Sequence, residues 1–140
     1  MKNAQEILNT KAVANNTVTS SDTVIHALAV MRSENLSYVV VMDNGKFVGI
    51  LGERDYTQNG ILQGRHSDTT LVKEMMRLDY PVIEATVSSD MCLEMMDMYK
   101  TRYLVVFYEN QYLGVLTMHD LLREKVSEQK KPIRFVARTL

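Results

Sequence analysis

The chain carries the same unit twice. Gly49-Ile50-Leu51-Gly52-Glu53-Arg54-Asp55 returns as Gly114-Val115-Leu116-Thr117-Met118-His119-Asp120, an offset of 65 residues. At this offset Tyr38-Val39-Val40-Val41 falls on Tyr103-Leu104-Val105-Val106, Leu28 on Leu93 and Met31 on Met96, without a gap from Thr17 to Thr57. Upstream, Ala4-Gln5-Glu6-Ile7-Leu8 is similar to Val72-Lys73-Glu74-Met75-Met76 once the first copy is given three extra loop residues. Such self-similarity means that one structural unit is built twice and the copies are packed together. A unit of about 65 residues buries too small a share of its surface to be more than marginal alone, so a shared core is expected. The organisation read from this is a first repeat over residues 1–64, a second over 65–127 and a basic tail over 128–140.

Within the first copy, Thr17-Val18-Thr19 reads as a short extended piece. Asp22 is the expected cap of a helix running to Glu34, with Val24, Ile25, Leu28 and Met31 on its apolar stripe. The unbroken β-branched run from Tyr38 to Met42 reads as a strand covered on both faces. Asn44-Gly45 is a turn signal, Phe47 to Leu51 returns as a strand, and a helix follows from Glu53, broken at Gly60 and finished by Gly64. The second copy predicts the same order: strand Val82-Ile83, helix Ser89 to Tyr99, strands Tyr103 to Tyr108 and Gln111 to Leu116, then a helix from Met118 to Ser127 capped by Thr117. Each copy is therefore β-α-β-β-α, preceded by one short helix.

Sixteen basic against seventeen acidic side chains provide no global field for nucleic acid or an anionic membrane. No apolar run approaches the roughly 18 residues of a membrane span, and the first residues lack the apolar stretch of a secretory signal. Cys92, the single cysteine, falls on a helix that reads as buried, which favours a packed thiol and a cytoplasmic setting. His26, His66 and His119 are scattered, with no metal-spaced cluster, nucleophile elbow or phosphate-cradling glycine loop, so neither a metal site nor catalysis is expected. Met91, Met95, Met96 and Met98 surround more than one face of a single helix. Core filling accounts for part of that set, and the remainder points to self-association through helical faces.

Tandem β-α-β-β-α units closed by Gly49-x-x-Gly52-x-x-Asp55 and Gly114-x-x-Thr117-x-x-Asp120 resemble a pair of cystathionine-β-synthase (CBS) domains, a Bateman module of the small stand-alone kind, over residues 4–127. The resemblance implies an α/β (α+β) fold of two pseudo-symmetric repeats packed sheet to sheet, and a homodimer. It also implies a regulatory, non-catalytic protein that binds AMP, ADP, ATP, S-adenosylmethionine or NADH between the repeats, with no required cofactor. Asp120 then matches a ribose-binding carboxylate, and Thr117 a ribose or phosphate hydroxyl. Val82 and Ile83 match an adenine-contacting segment, and Arg102 and Tyr103 border the cleft. His119 or Arg54 supplies charge for a phosphate. The chemistry is sound: a first-turn carboxylate can accept both ribose hydroxyls, and a capped helix start suits a phosphate oxygen. Gly49 and Gly114 serve either close backbone approach to a ligand or strand-to-helix packing. The first site keeps Asp55 but has Gly52 where a hydroxyl is usual, so the second is expected to be the occupied one. The competing expectation is a ligand-free dimeric scaffold for a partner enzyme or transporter.

Overall fold

The computed structural model describes residues 1–129, so the basic tail lies, from residue 130 on, outside the described residues. Five helices, α1 (Ala4–Thr10), α2 (Val24–Glu34), α3 (Glu53–Asn59), α4 (Ser89–Tyr99) and α5 (Met118–Glu128), accompany six strands. The strands are β1 (Thr17–Val18), β2 (Tyr38–Asp43), β3 (Lys46–Gly52), β4 (Val82–Glu84), β5 (Tyr103–Tyr108) and β6 (Gln111–Thr117). They form two three-stranded sheets, β1-β2-β3 and β4-β5-β6, each with one parallel and one antiparallel pairing. The repeat extends to its irregularities. The register slips between Val41 and Met42 and again between Val106 and Phe107, the same place in each copy. The hairpin turns also match, with positive φ at Asn44 and Gly45 and at Glu109 and Asn110.

The sheets face each other. Tyr38, Val40 and Ile50 from one and Val105 and Val115 from the other are buried in a common layer with Tyr80. Repeat-equivalent aromatics meet there, Tyr38 on Tyr103 at 5.0 Å between ring centroids and Phe47 stacked on Tyr112 at 4.8 Å. Pairing of equivalents across the layer places a pseudo-twofold axis between them, the arrangement that a duplicated unit with one apolar sheet face requires.

The opening segments are exchanged. Ala4 and Ile7 of α1 enter the core of the second repeat with Ile83, Cys92, Met96, Leu104 and Leu121. Val72 and Met75 enter the core of the first, with Val24, Met31, Val39 and Leu51. Backbone bonds fix both docks: the Ala4 N–H donates to Val87 O at 2.8 Å and the Val72 N–H to Asp22 O at 2.8 Å. The second opening segment departs from the expected helix and makes only a 3-10 turn, Val72–Glu74. Arg77 exchanges both backbone bonds with Ile50 on β3, at 2.9 and 3.1 Å, which draws the chain out of helical geometry.

One further local expectation changes. Thr23, rather than Asp22, caps α2, its hydroxyl accepting the His26 N–H, while Asp22 accepts the Thr19 N–H in the preceding turn. The helix after β3 breaks at Gly60 as expected, and a 3-10 turn, Ile61–Gln63, carries the chain to a left-handed Gly64.

Candidate functional site

β6 ends at Thr117, which caps α5. The Thr117 hydroxyl accepts the Asp120 N–H at 3.1 Å, and the Asp120 carboxylate accepts the Thr117 N–H at 2.9 Å. This reciprocal cap fixes Asp120 at 4% exposure on the first turn of the helix. Lys11 Nζ meets its Oδ2 at 2.8 Å and Arg123 Nη2 its Oδ1 at 2.8 Å. Lys11 also donates to the Val115 carbonyl at 2.9 Å.

The corner opens onto a cleft of about 1530 Å³. Its opposite wall is not β4 but the first repeat: the strap of residues 12–14, the end of α2, and the entrance to β2 at Ser37 and Tyr38. Lys11, Arg32, Arg102 and Arg123 line it with Glu34, Glu53 and Asp120, and His119 stands at the helix start. Glu34 is engaged by the strap, accepting the Asn15 N–H at 2.9 Å. Among the described residues, Arg32 and Arg102 have no ion-pair partner, so positive charge remains available.

The pseudo-twofold produces a second, smaller cleft of about 330 Å³ at Gly52 and Asp55. Here the Asp55 carboxylate accepts the Gly52 N–H at 2.9 Å and forms no salt bridge with any described residue. Burial pushes its pKa upward against the opposing pull of the Gly52 N–H and Arg77. Arg77 lies 4.8 Å above the Tyr80 ring, and Tyr80 packs edge-on to Tyr103 at 5.6 Å.

The inequality has a sequence cause. Val40 N–H donates to Asn16 O and Val105 N–H to Pro81 O, which makes the segments before β1 and β4 structural equivalents. Ala12-Val13-Ala14-Asn15 in one therefore corresponds to Arg77-Leu78-Asp79-Tyr80 in the other. Small side chains leave the large cleft open, whereas an arginine and a tyrosine fill its counterpart.

The structure thus gathers Thr117, Asp120, His119, Arg102 and Tyr103 at the large cleft. Arg54 and Asp55 lie in the small one, which Arg102 and Tyr103 also border. Val82 and Ile83 line neither cleft: Val82 is exposed on β4, and Ile83 is buried in the second core. The segment facing Asp120 comes from the opposite repeat because the twofold turns each strand–helix corner toward its partner's opening segment. Lys11, Arg32, Arg123 and the strap were missed; the one available signal was the row of small residues at 12–15. The glycines resolve toward packing. A Cβ on Gly114 would meet Leu8 at 3.2 Å, and one on Gly49 would meet the Arg77 carbonyl at 3.0 Å, so both make room for the exchanged segments.

Two β-α-β-β-α units joined sheet to sheet, with a capped strand–helix corner of each facing the opening of the other, define a duplicated two-repeat architecture. The chain belongs to the CBS-domain family, whose model matches residues 4–59 and 72–127. It is similar to the CBS domain-containing protein CBSX3, mitochondrial, of Arabidopsis thaliana, 28% identical over 121 residues, which are 83% of this chain and 59% of that one. It is also 32% identical over 111 residues to the inosine-5'-monophosphate dehydrogenase of Methanocaldococcus jannaschii, covering 78% of this chain and 21% of the enzyme. The chain therefore spans only part of the length of these relatives. Among solved structures, a protein with CBS domains from Burkholderia ambifaria MC40-6 superposes with a TM-score of 0.85 at 27% identity, over 95% of this chain and all of that one. CBSX2, solved in complex with AMP, shares the fold at a TM-score of 0.72 and 18% identity, over 93% of this chain and 100% of that one. No helix among the described residues is long and apolar enough to cross a membrane.

Proposed function

We propose that the chain is a non-catalytic, cytoplasmic sensor that binds an adenine nucleotide in the larger cleft and passes the signal to a protein effector. The observation that carries this reading is the Thr117–Asp120 corner, opening onto a large cleft where Arg32 and Arg102 have no ion-pair partner among the described residues. Asp120 accepts ribose hydroxyls. The Thr117 hydroxyl and the start of α5 receive phosphate oxygens, with Arg32, Arg102 and His119 countering their charge. The strap of residues 12–14 and Tyr103 supply walls for the base. The AMP held by CBSX2 supports this ligand class. Residues 1–64, 65–127 and 128–140 remain the proposed divisions of the chain, although the cores exchange their opening segments.

The chain is further proposed to self-associate through α4 and α5, where Met91, Met98, Tyr99, Leu122 and Val126 lie exposed. Light scattering is expected to give twice the 16.0 kDa chain mass, and a monomer at micromolar concentration would remove this part of the reading.

The test of ligand binding is a thermal-shift screen against AMP, ADP, ATP, NADH and S-adenosylmethionine. A ligand at 100 times its dissociation constant adds about 2.7 kcal/mol to the folded state. One adenine ligand should raise the melting temperature. No shift with any, in folded and nucleotide-free protein, returns the reading to a ligand-free scaffold. One feature favours that second reading: in this structure Asp120 is satisfied by the protein's own Lys11 and Arg123.

A further inference from the structure

Lys11 stands where a ligand's ribose has to be received. An ionised carboxylate offers about four acceptor positions, two on each oxygen. On Asp120, Oδ2 accepts the Thr117 N–H at 2.9 Å and has the Lys11 ammonium against it as an ion pair at 2.8 Å, while Oδ1 accepts, among the described residues, from Arg123 at 2.8 Å. A ribose diol that grips both oxygens needs one position on each. Oδ1 has one to spare, and at Oδ2 the Lys11 ammonium, 2.8 Å away, occupies the approach. The Thr117 N–H is held in the helix cap, so the contact that must give way is the ion pair with Lys11.

Lys11 does not leave freely. Its side chain is 22% exposed, and besides Asp120 it donates to the Val115 carbonyl at 2.9 Å and lies 3.4 Å from the Tyr38 hydroxyl. Displaced from these acceptors, the ammonium needs another anion close by. A ligand that brings a phosphate into the same cleft provides one; a bare nucleoside does not, and a sulfonium or ammonium ligand adds repulsion.

We infer that Lys11 is a built-in competitor for Asp120 that makes the cleft select phosphorylated adenosine over adenosine itself. This rests on the nucleotide-binding reading above and adds its specificity determinant. Release of Lys11 also acts on the fold. Lys11 is the residue that ends α1, which is docked in the second repeat, and the strap that follows leads into the first sheet. Val13 within it is fully exposed, so the strap has room to shift. Ligand entry therefore pulls on the exchanged connection between the repeats.

The test is calorimetric titration of the full chain with AMP and with adenosine, in the unaltered protein and in Lys11→Met, Lys11→Gln and Lys11→Arg, each first shown to melt cooperatively. The unaltered protein should prefer AMP by more than about tenfold, equivalent to 1.4 kcal/mol. In Lys11→Met and Lys11→Gln adenosine should bind more tightly and AMP less tightly, so the preference collapses by about tenfold or more, while Lys11→Arg retains it. Either neutral variant suffices if the other does not fold. A preference unchanged in the neutral variants, with AMP still bound, overturns the role of Lys11 alone. Absence of AMP binding in the unaltered protein overturns the nucleotide reading and this inference with it.

Discussion

Asp55 is buried among Tyr80, Tyr103 and Gly52; its carboxylate accepts the Gly52 N–H at 2.9 Å, and the Tyr80 hydroxyl and Arg77 also favour its charged form. Burial raises its pKa above the ordinary 3.8, so between that value and the folded pKa the native state binds more protons than the unfolded chain. Its contribution to stability is therefore largest in acid and falls as pH rises through the folded pKa. Asn at this place keeps an acceptor for the Gly52 N–H and carries no charge. The stability of Asp55→Asn relative to the unaltered protein should thus rise between about pH 4 and neutrality, read from urea midpoints across that range. A flat difference would show that Asp55 has no raised pKa. Asp120 sits at the matching position with two cations against it, so the repeat has assigned one carboxylate to a charged corner and left the other unpaired.

At the level of elements, the exchanged segments depend on the glycines beneath them. A Cβ on Gly49 would meet the Arg77 backbone carbonyl at 3.0 Å and Met76 Sδ at 3.0 Å, whereas one on Gly114 would meet the Leu8 side chain, at 3.2 Å. Backbone cannot move aside as a leucine tip can. Gly49→Ala should cost about 1–3 kcal/mol and Gly114→Ala less than about 1.5 kcal/mol, compared by chemical denaturation. The reverse order would contradict the packing account. Most of these elements were legible from the repeat, because a strand such as Tyr38 to Asp43 carries its apolar run in both copies. The exchange was not. Ile7 and Val72 are apolar positions in short segments, and periodicity says that they are buried without saying in which core. The same limit applies to Val82 and Ile83, which line neither cleft: which corner faces which opening segment is a property of the twofold. Thr23 and Asp22 are adjacent helix-capping residues, and only the local turn, in which Asp22 holds the Thr19 N–H, decides between them.

For the whole molecule, duplication followed by divergence gives two clefts of very different size from one sheet-to-sheet frame. Ala12 and Asn15 against Arg77 and Tyr80 account for the difference, about 1530 against 330 Å³. The missing hydroxyl at Gly52 pointed to the same ranking of the sites, for a separate reason. A Cβ at Gly52 would have nothing nearer than 3.5 Å, and its φ of −107° is open to any residue, so no steric demand of the backbone explains the glycine.

The most direct measurement is calorimetric titration of AMP into the unaltered chain, Asp120→Asn and Asp55→Asn. Asparagine preserves an acceptor for either helix cap, so each variant tests the charge of one cleft. The account predicts one AMP per chain, weakened at least about tenfold by Asp120→Asn, as expected when hydrogen bonds to a charged acceptor worth about 1.5–3 kcal/mol are lost, and unaffected by Asp55→Asn. Binding that survives Asp120→Asn and is lost in Asp55→Asn would place the ligand in the small cleft and contradict it.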